Sequence, residues 1–428
     1  MNFDPIPVFA ARARTIRAWP IVWLTAFLLS GVTPRAAETP ARQGPLAELP
    51  SRPGPHIEKI KALTKGTWLS LGPPAPDPRW GKARGRSWAC RMPLAPELRG
   101  AFLFGEGVHG YVKPDGHVMD DLWFYDVQQH RWICCYPGSE VTSLELKIND
   151  DGFEANARGE PIPLSPMVHA YEGITYDTDL RRFMAMPCSN YDYLDKLLAQ
   201  KRKQWLEGRS LNTAAASPWL YESDRGRWDR RATATKSPRS GFGDNFHYLP
   251  GQKRAFFRHG EEVWFCDTAA NAWQQIRPAG PPLPFGIDGT SCHDTKRDRI
   301  YIGGGSYPKT PVGTNAFRIY DLKTDEWVDP QPAGAPCKGS NSYNTNIAAM
   351  EYDAASDRVI IFRYGGAAEE RGIFIYDSDA NAWSDAAQPF PEKWGQCTNA
   401  FYDPALNAHF FHVAGDSDDN GVIWVYRM

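Results

Sequence analysis

Asp121-Leu122-Trp123-Phe124-Tyr125-Asp126, five further residues, then Trp132: this stretch returns down the length of the chain. Tyr320-Asp321 stands in the same relation to Trp327, and Tyr376-Asp377 to Trp383, the tryptophan always six positions after the acid. Cys266-Asp267 precedes Trp273 at that spacing, and Tyr221-Glu222 precedes Trp228. A further copy, Ile423-Trp424-Val425-Tyr426-Arg427, reaches Met428 without its tryptophan, and the spare one in a matching setting is Trp68, in Gly66-Thr67-Trp68-Leu69-Ser70. Self-similarity at a fixed period marks a repeat architecture, and this pattern predicts a ring closed by its own two ends.

Each copy alternates large apolar and other residues ahead of the Tyr-Asp pair, which is strand patterning. The polar residues before the tryptophan, such as Lys323-Thr324-Asp325 and Asp379-Ala380-Asn381, read as a hairpin turn. Between these hairpins lies a second repeated string: Tyr176-Asp177 to Arg182-Phe183, His293-Asp294 to Arg299-Ile300, Tyr352-Asp353 to Arg358-Val359, and Tyr402-Asp403 to His409-Phe410. Tyr248-Leu249 to Ala255-Phe256 is a looser copy, and Met92-Pro93 to Ala101-Phe102 the loosest. Two hairpins per repeat make a four-stranded antiparallel sheet, the blade of a propeller.

A Gly-Gly after the second strand, then Tyr-Asp, then Trp resembles the kelch repeat over about 65–428. The likeness is strongest around Gly303-Gly304-Gly305 and Gly365-Gly366. It departs from the pattern at Glu222, and in the first and third repeats, which lack paired glycines. Six tryptophans (68, 132, 228, 273, 327 and 383) imply an all-β, six-bladed kelch-type propeller closed by pairing of the N-terminal and C-terminal strands. Residues that repeat serve the repeat: the indoles are expected to pack between sheets, the aspartates to satisfy turn amides, and the glycines to permit tight or left-handed backbone. The resemblance reaches the kelch and galactose-oxidase-like fold level only. The tyrosine–cysteine crosslink and two histidines of the copper oxidases find no residue-by-residue match, and six-bladed sugar epimerases share only the blade count. The family implies a fold and leaves function to the site.

Hydrophobic content of 42%, with 13% aromatics, suffices for a core of stacked sheets. A net charge of −2 supplies no bulk attraction to nucleic acid or an anionic membrane. Arg12, Arg14 and Arg17 precede an apolar run from Ala18 to Val32 and then Arg35-Ala36-Ala37, the layout of a secretory signal peptide over 1–37. Cleavage after Ala41 is an alternative, and so is retention as an uncleaved anchor. Residues 38–65 read as a linker with a short helix from about His56 to Thr64, and 66–428 as the propeller. The expected location is therefore exported, periplasmic or extracellular. Eight cysteines in an exported chain can pair, but Cys134 and Cys135 are adjacent on a strand and point to opposite faces, where a direct bridge is strained. No C-x-x-C metal motif occurs, and the sequence names no cofactor.

Loops at one end of the channel should carry function, because loops vary while blades hold them. The largest insertions, 136–166 and 188–217, fall in loop sets that share an end; the second has a helical middle from Tyr191 to Trp205. Residues opening the innermost strands should face the channel there: Arg86, His169, Glu172, Asp244, Asn245, Asp288, Asn344, Asn346, Gln396 and Asn399, with His109, Tyr111, Tyr191 and Tyr307 from facing loops. Planar amides, carboxylates and aromatic rings suit hydroxyl-rich ligands. Asp244 with Asp288 is an acid–base pair to test against glycoside cleavage. His109, His169 and Glu172 make a weak metal set, since His169 and Glu172 lie three apart and point to opposite faces of a strand. The expected function is thus an exported binding module for a glycan or protein ligand at the loop-rich face. The alternative is a carbohydrate-active enzyme, a sugar epimerase or oxidoreductase, at the same channel mouth. The chain is expected to act as a monomer, without nucleic acid and without membrane insertion beyond the anchor.

Overall fold

The computed structural model describes residues 42–105, 111–163, 169–187, 196–206, 217–241, 244–283, 289–304, 316–334, 343, 347–386 and 388–428. Among them the Tyr-Asp pair builds one recurring turn. The aspartate oxygen accepts two backbone N–H groups, as Asp353 does from Ala355 at 3.0 Å and Ser356 at 2.8 Å, and Asp377 from Asp379 at 2.9 Å and Ala380 at 3.0 Å. The tyrosine hydroxyl reaches the residue five positions on: Asp325 at 3.0 Å, Asp357 at 2.9 Å, Asn381 at 2.8 Å and Asn407 at 3.0 Å. Those four residues have φ between 47° and 57°, a left-handed conformation that Asp and Asn tolerate better than other side chains. The repeated pair thus terminates one strand and aims the next.

These turns connect six four-stranded antiparallel sheets. Written from the channel outward, blade 1 is Leu94–Ala95, Gly100–Leu103, Leu122–Asp126 and Arg131–Tyr136, and blade 2 is Ile174–Asp177, Arg182–Ala185, Trp219–Glu222 and Arg227–Asp229. Blade 3 is Asn245–Leu249, Arg254–His259, Glu262–Asp267 and Ala272–Ile276, and blade 4 is Ser291–Asp294, Arg299–Gly303, Phe317–Asp321 and Glu326–Val328. Blade 5 is Ala348–Asp353, Arg358–Arg363, Gly372–Asp377 and Ala382–Asp385. Blade 6 takes Cys397–Asp403, Ala408–Ala414 and Val422–Arg427 from the C-terminal end, and its outermost strand, Thr67–Gly72, from the other end of the propeller. Trp68 pairs with Tyr426, the same register that sets Trp132 opposite Tyr125, Trp327 opposite Tyr320 and Trp383 opposite Tyr376. The ring therefore closes as the spacing of the tryptophans predicts.

The indoles pack between blades. Trp383 lies edge-on to Phe317 of blade 4 at 5.2 Å, Trp228 meets Phe104 beside blade 1 at 5.6 Å, and Trp132 stands edge-on to His412 of blade 6 at 5.1 Å. The glycines divide their work. A Cβ on Gly303 would come within 2.1 Å of the Tyr343 ring, so this position is required by close approach, whereas Gly366 sits at φ 91° and is required by conformation.

The turns from first to second and from third to fourth strand lie at one end of the ring, the hairpin end, while the second-to-third connections and the crossings between blades lie at the other. Residues 147–148 and 154–155 form a small hairpin in the first insertion. The second contains the helix Lys196–Leu206, whose Lys201 donates to the Val141 carbonyl at 2.7 Å. The stretch ahead of the propeller packs along the hairpin turns of blades 2 and 1: Gln43 donates to the Asp224 carbonyl at 2.8 Å, Gly54 to that of Gln128 at 2.7 Å, and Leu46 and Leu49 are buried. A helix follows at His56–Lys61, burying Ile57 and Ile60. Cys90, Cys134, Cys135, Cys266, Cys292 and Cys397 are free thiols. Cys134 and Cys135 enter different core clusters, as their adjacency on a strand requires.

Candidate functional site

A polar layer crosses the channel where the inner strands begin. Glu172 is buried there and accepts from the Thr290 hydroxyl at 2.8 Å, the Ser291 amide at 2.9 Å and the Asn245 side chain at 3.1 Å. The Ser291 hydroxyl is a further partner. Arg91, from blade 1, pairs with Glu172 at 3.1 Å and donates to the Ser291 carbonyl of blade 4 at 2.6 Å and the Phe246 carbonyl of blade 3 at 3.1 Å. In a ring of six, blades 1 and 4 stand opposite each other, so these bonds span the channel. A buried carboxylate is tolerated because each oxygen is matched by donors and by one cation.

The sequence-predicted residues fall into separate groups around this layer. Glu172 and Asn245 meet directly, as just described. Arg86 is committed elsewhere: its guanidinium pairs with buried Asp121, which also receives Lys113 at 3.2 Å and the Trp123 indole N–H at 2.7 Å. Burial opposes ionisation of Asp121, but the two cations outweigh it and hold its pKa low. His169 is buried with its ring 5.8 Å from Trp88 and 5.6 Å from Tyr171. Asp244 bonds His259 at 2.7 Å and accepts the Gly241 amide at 2.9 Å. Burial raises its pKa, while the hydrogen bond raises that of His259. Asn399 is buried and donates to the Ala89 carbonyl. Gln396 is exposed and Tyr111 half-buried. Asp288, Asn344, Asn346, His109, Tyr191 and Tyr307 lie outside the described residues. Among the described residues, no three His, Cys, Asp or Glu side chains gather in a metal-binding group.

Toward the hairpin end, the same channel opens into a cavity of about 300 Å³ lined by all six blades. Its wall is built from the last residues of the inner strands: Thr175-Tyr176, His247-Tyr248, Cys292-His293, Glu351-Tyr352 and Phe401-Tyr402, with Arg91 and Met92 from blade 1. The tyrosine hydroxyls are spent on neighbouring turns. Tyr352 donates to Asp357 at 2.9 Å and Tyr402 to Asn407 at 3.0 Å, while Tyr248 and Tyr176 donate to Asp179 and Glu97. These side chains therefore offer the cavity aromatic surface rather than hydroxyls.

Glu351 differs from the other described carboxylates of the channel. It is half-buried, faces the cavity, and has no hydrogen-bond partner among the described residues. Burial raises its pKa to about 7, against the pull of Arg91 and with a contribution from Glu172. His247 bonds the Ser291 hydroxyl at 2.8 Å, and burial next to Arg91 pushes its pKa far down. Burial lowers His293 as well, and raises the Cys292 thiol. At neutral pH the imidazoles are uncharged and the thiol is protonated, leaving Arg91, Glu172 and Glu351 as the charges that matter.

Sequence reasoning placed the site at the opening of the inner strands and passed over their ends. A signal for the ends exists. The Tyr-Asp pair, with its looser counterparts Tyr248-Leu249 and His293-Asp294, repeats because it makes the turn, while the position before it changes from Thr175 to His247, Cys292, Glu351 and Phe401. Variation in chemistry beside a recurring structural pair marks the position released from serving the repeat. No protein-family model and no curated protein matches this chain.

Proposed function

We propose that this chain is an exported, kelch-type binding module that seats a small hydroxyl-rich ligand of the sugar class in the hairpin-end cavity. One observation carries the reading. Four tyrosines and Phe401 wall a 300 Å³ cavity with ring surface beside Glu351, a carboxylate lacking any hydrogen-bond partner among the described residues. Sugar rings place C–H groups against aromatic faces and hydroxyls against carboxylates, so both features are used by one ligand. A propeller suits such a role because six rigid inner strands converge on one axis. Export is supported by Arg12, Arg14 and Arg17 ahead of the apolar run Ala18 to Val32.

Titration calorimetry of the purified protein against monosaccharides and disaccharides tests the binding. The expected result is one saturable site, weakened at least tenfold by Glu351→Ala. Absence of saturable binding by any sugar, or binding indifferent to Glu351→Ala, rejects the reading. A second reading, a carbohydrate-active enzyme, is favoured by the Glu351 pKa of about 7, suited to acid–base work near neutrality. Product formation from a sugar that binds, followed by NMR, decides between the two.

A further inference from the structure

We infer that the ligand seated against Glu351 carries a free ammonium group, which makes an amino sugar the class of ligand this cavity takes. The inference rests on the sugar-class reading above and adds the charge.

Arg91 does not supply the partner that Glu351 lacks. Its guanidinium is already bound to Glu172 at 3.1 Å, the Ser291 carbonyl at 2.6 Å and the Phe246 carbonyl at 3.1 Å. From blade 3, His247 faces the cavity as a neutral imidazole, and from blade 4 His293 does the same beside the protonated Cys292 thiol. Blades 2 and 6 contribute Thr175, Tyr176, Phe401 and Tyr402, which carry no charge. Arg91 and Glu172 cancel, so ionised Glu351 leaves the cavity with one uncompensated negative charge.

A neutral hydroxyl satisfies a carboxylate oxygen without offsetting that charge. An ammonium group does both, through a charge-assisted hydrogen bond. The aromatic walls add to the selection, because ring faces attract cations. An anionic sugar is disfavoured twice: Glu351 repels it, and the one cation is already matched. The empty cavity favours protonated Glu351, since burial holds its pKa near 7. Entry of an ammonium ligand below that pH therefore ionises Glu351 and releases its proton to solvent. Affinity should then rise about tenfold per pH unit between pH 5 and pH 6.5.

Titration calorimetry with glucosamine, glucose, N-acetylglucosamine, glucuronate and choline at pH 6.5 tests this. Glucosamine should bind at least tenfold tighter than glucose or N-acetylglucosamine, and its enthalpy should vary with buffer ionisation heat in the sense of proton release. Glu351→Gln should abolish both the preference for glucosamine over glucose and the proton release. Equal affinity for glucose and glucosamine overturns the ammonium inference and leaves the sugar-class reading standing. Choline binding as tightly as glucosamine while glucose does not bind overturns the sugar-class reading and supports the cation site. If none of the probes binds, both fail. Circular dichroism of Glu351→Gln, expected unchanged, separates loss of the site from loss of the fold.

Discussion

At the scale of one residue, Glu351 makes the fold pH-dependent in a direction opposite to most carboxylates. Its folded pKa is raised from 4.5 to about 7, so between those values the native state keeps a proton that the unfolded chain has lost. Stability therefore falls as pH rises through this window and is level below it and above it. The full effect is about 1–3 kcal/mol, allowing for solvent reaching the cavity. Glu351→Gln should raise the melting temperature relative to the native protein at pH 8 and leave the difference near zero at pH 4.5. A melting-temperature difference that does not change between these pH values would show Glu351 to be well solvated. His412 is a contrasting case: burial beside Arg86 drives its pKa to about 3, so it stays neutral throughout this range.

At the scale of the element, the two hairpins of a blade use the same aspartate but attach it to different surroundings. Asp267 is exposed and, among the described residues, accepts only the amides of Ala269 at 3.0 Å and Ala270 at 2.9 Å. Asp403 is fully buried, accepts the amides of Ala405 and Leu406, and receives Arg99 of blade 1 through both oxygens at 3.2 and 2.8 Å. Asp267→Ala should cost about 1 kcal/mol or less, the net worth of exposed turn bonds. Asp403→Ala strands a guanidinium between blades 6 and 1 and should cost about 3–5 kcal/mol. Trp327→Ala belongs with the second case, at ~3–5 kcal/mol, because it empties a packed inter-sheet position. Urea unfolding of the three variants measures the ranking, and an Asp267→Ala loss as large as the other two contradicts it.

At the scale of the molecule, closure depends on one strand contributed from the far end of the chain. Thr67–Gly72 covers Val422–Arg427, and Arg427 reaches the carbonyls of Ile60 and Leu406, each at 2.9 Å. Removing 66–72 exposes the edge of Val422–Arg427, and unpaired edges recruit other chains. The truncated protein should melt at a lower temperature and self-associate, which light scattering coupled to gel filtration reads directly. A monomeric product with an unchanged melting point would mean that blade 6 is stable with three strands.

The blade count, the closing strand and the recurring Tyr-Asp turn were legible in the chain because each rests on local chemistry repeated in register. Tyr125-Asp126, Tyr352-Asp353 and Tyr376-Asp377 make the same turn through bonds to residues two, three and five positions on, and Trp68 was identifiable as the missing member of a series. The cysteines of the adjacent pair could likewise be sent to opposite faces by strand geometry alone. The candidate site was only half legible. Glu172 and Asn245 were placed correctly at the openings of inner strands, yet they bond one another inside a layer that crosses the channel. The varying position before the Tyr-Asp pair singles out Glu351, but nothing local shows that its carboxylate is left without a partner. Its distinction arises because Arg91, 155 residues along the chain from Phe246 and 200 from Ser291, directs its hydrogen bonds to both and to Glu172 rather than to Glu351. Repetition encodes the frame residue by residue, whereas the charge left over at its axis is a sum over six blades that exists only once the ring is shut.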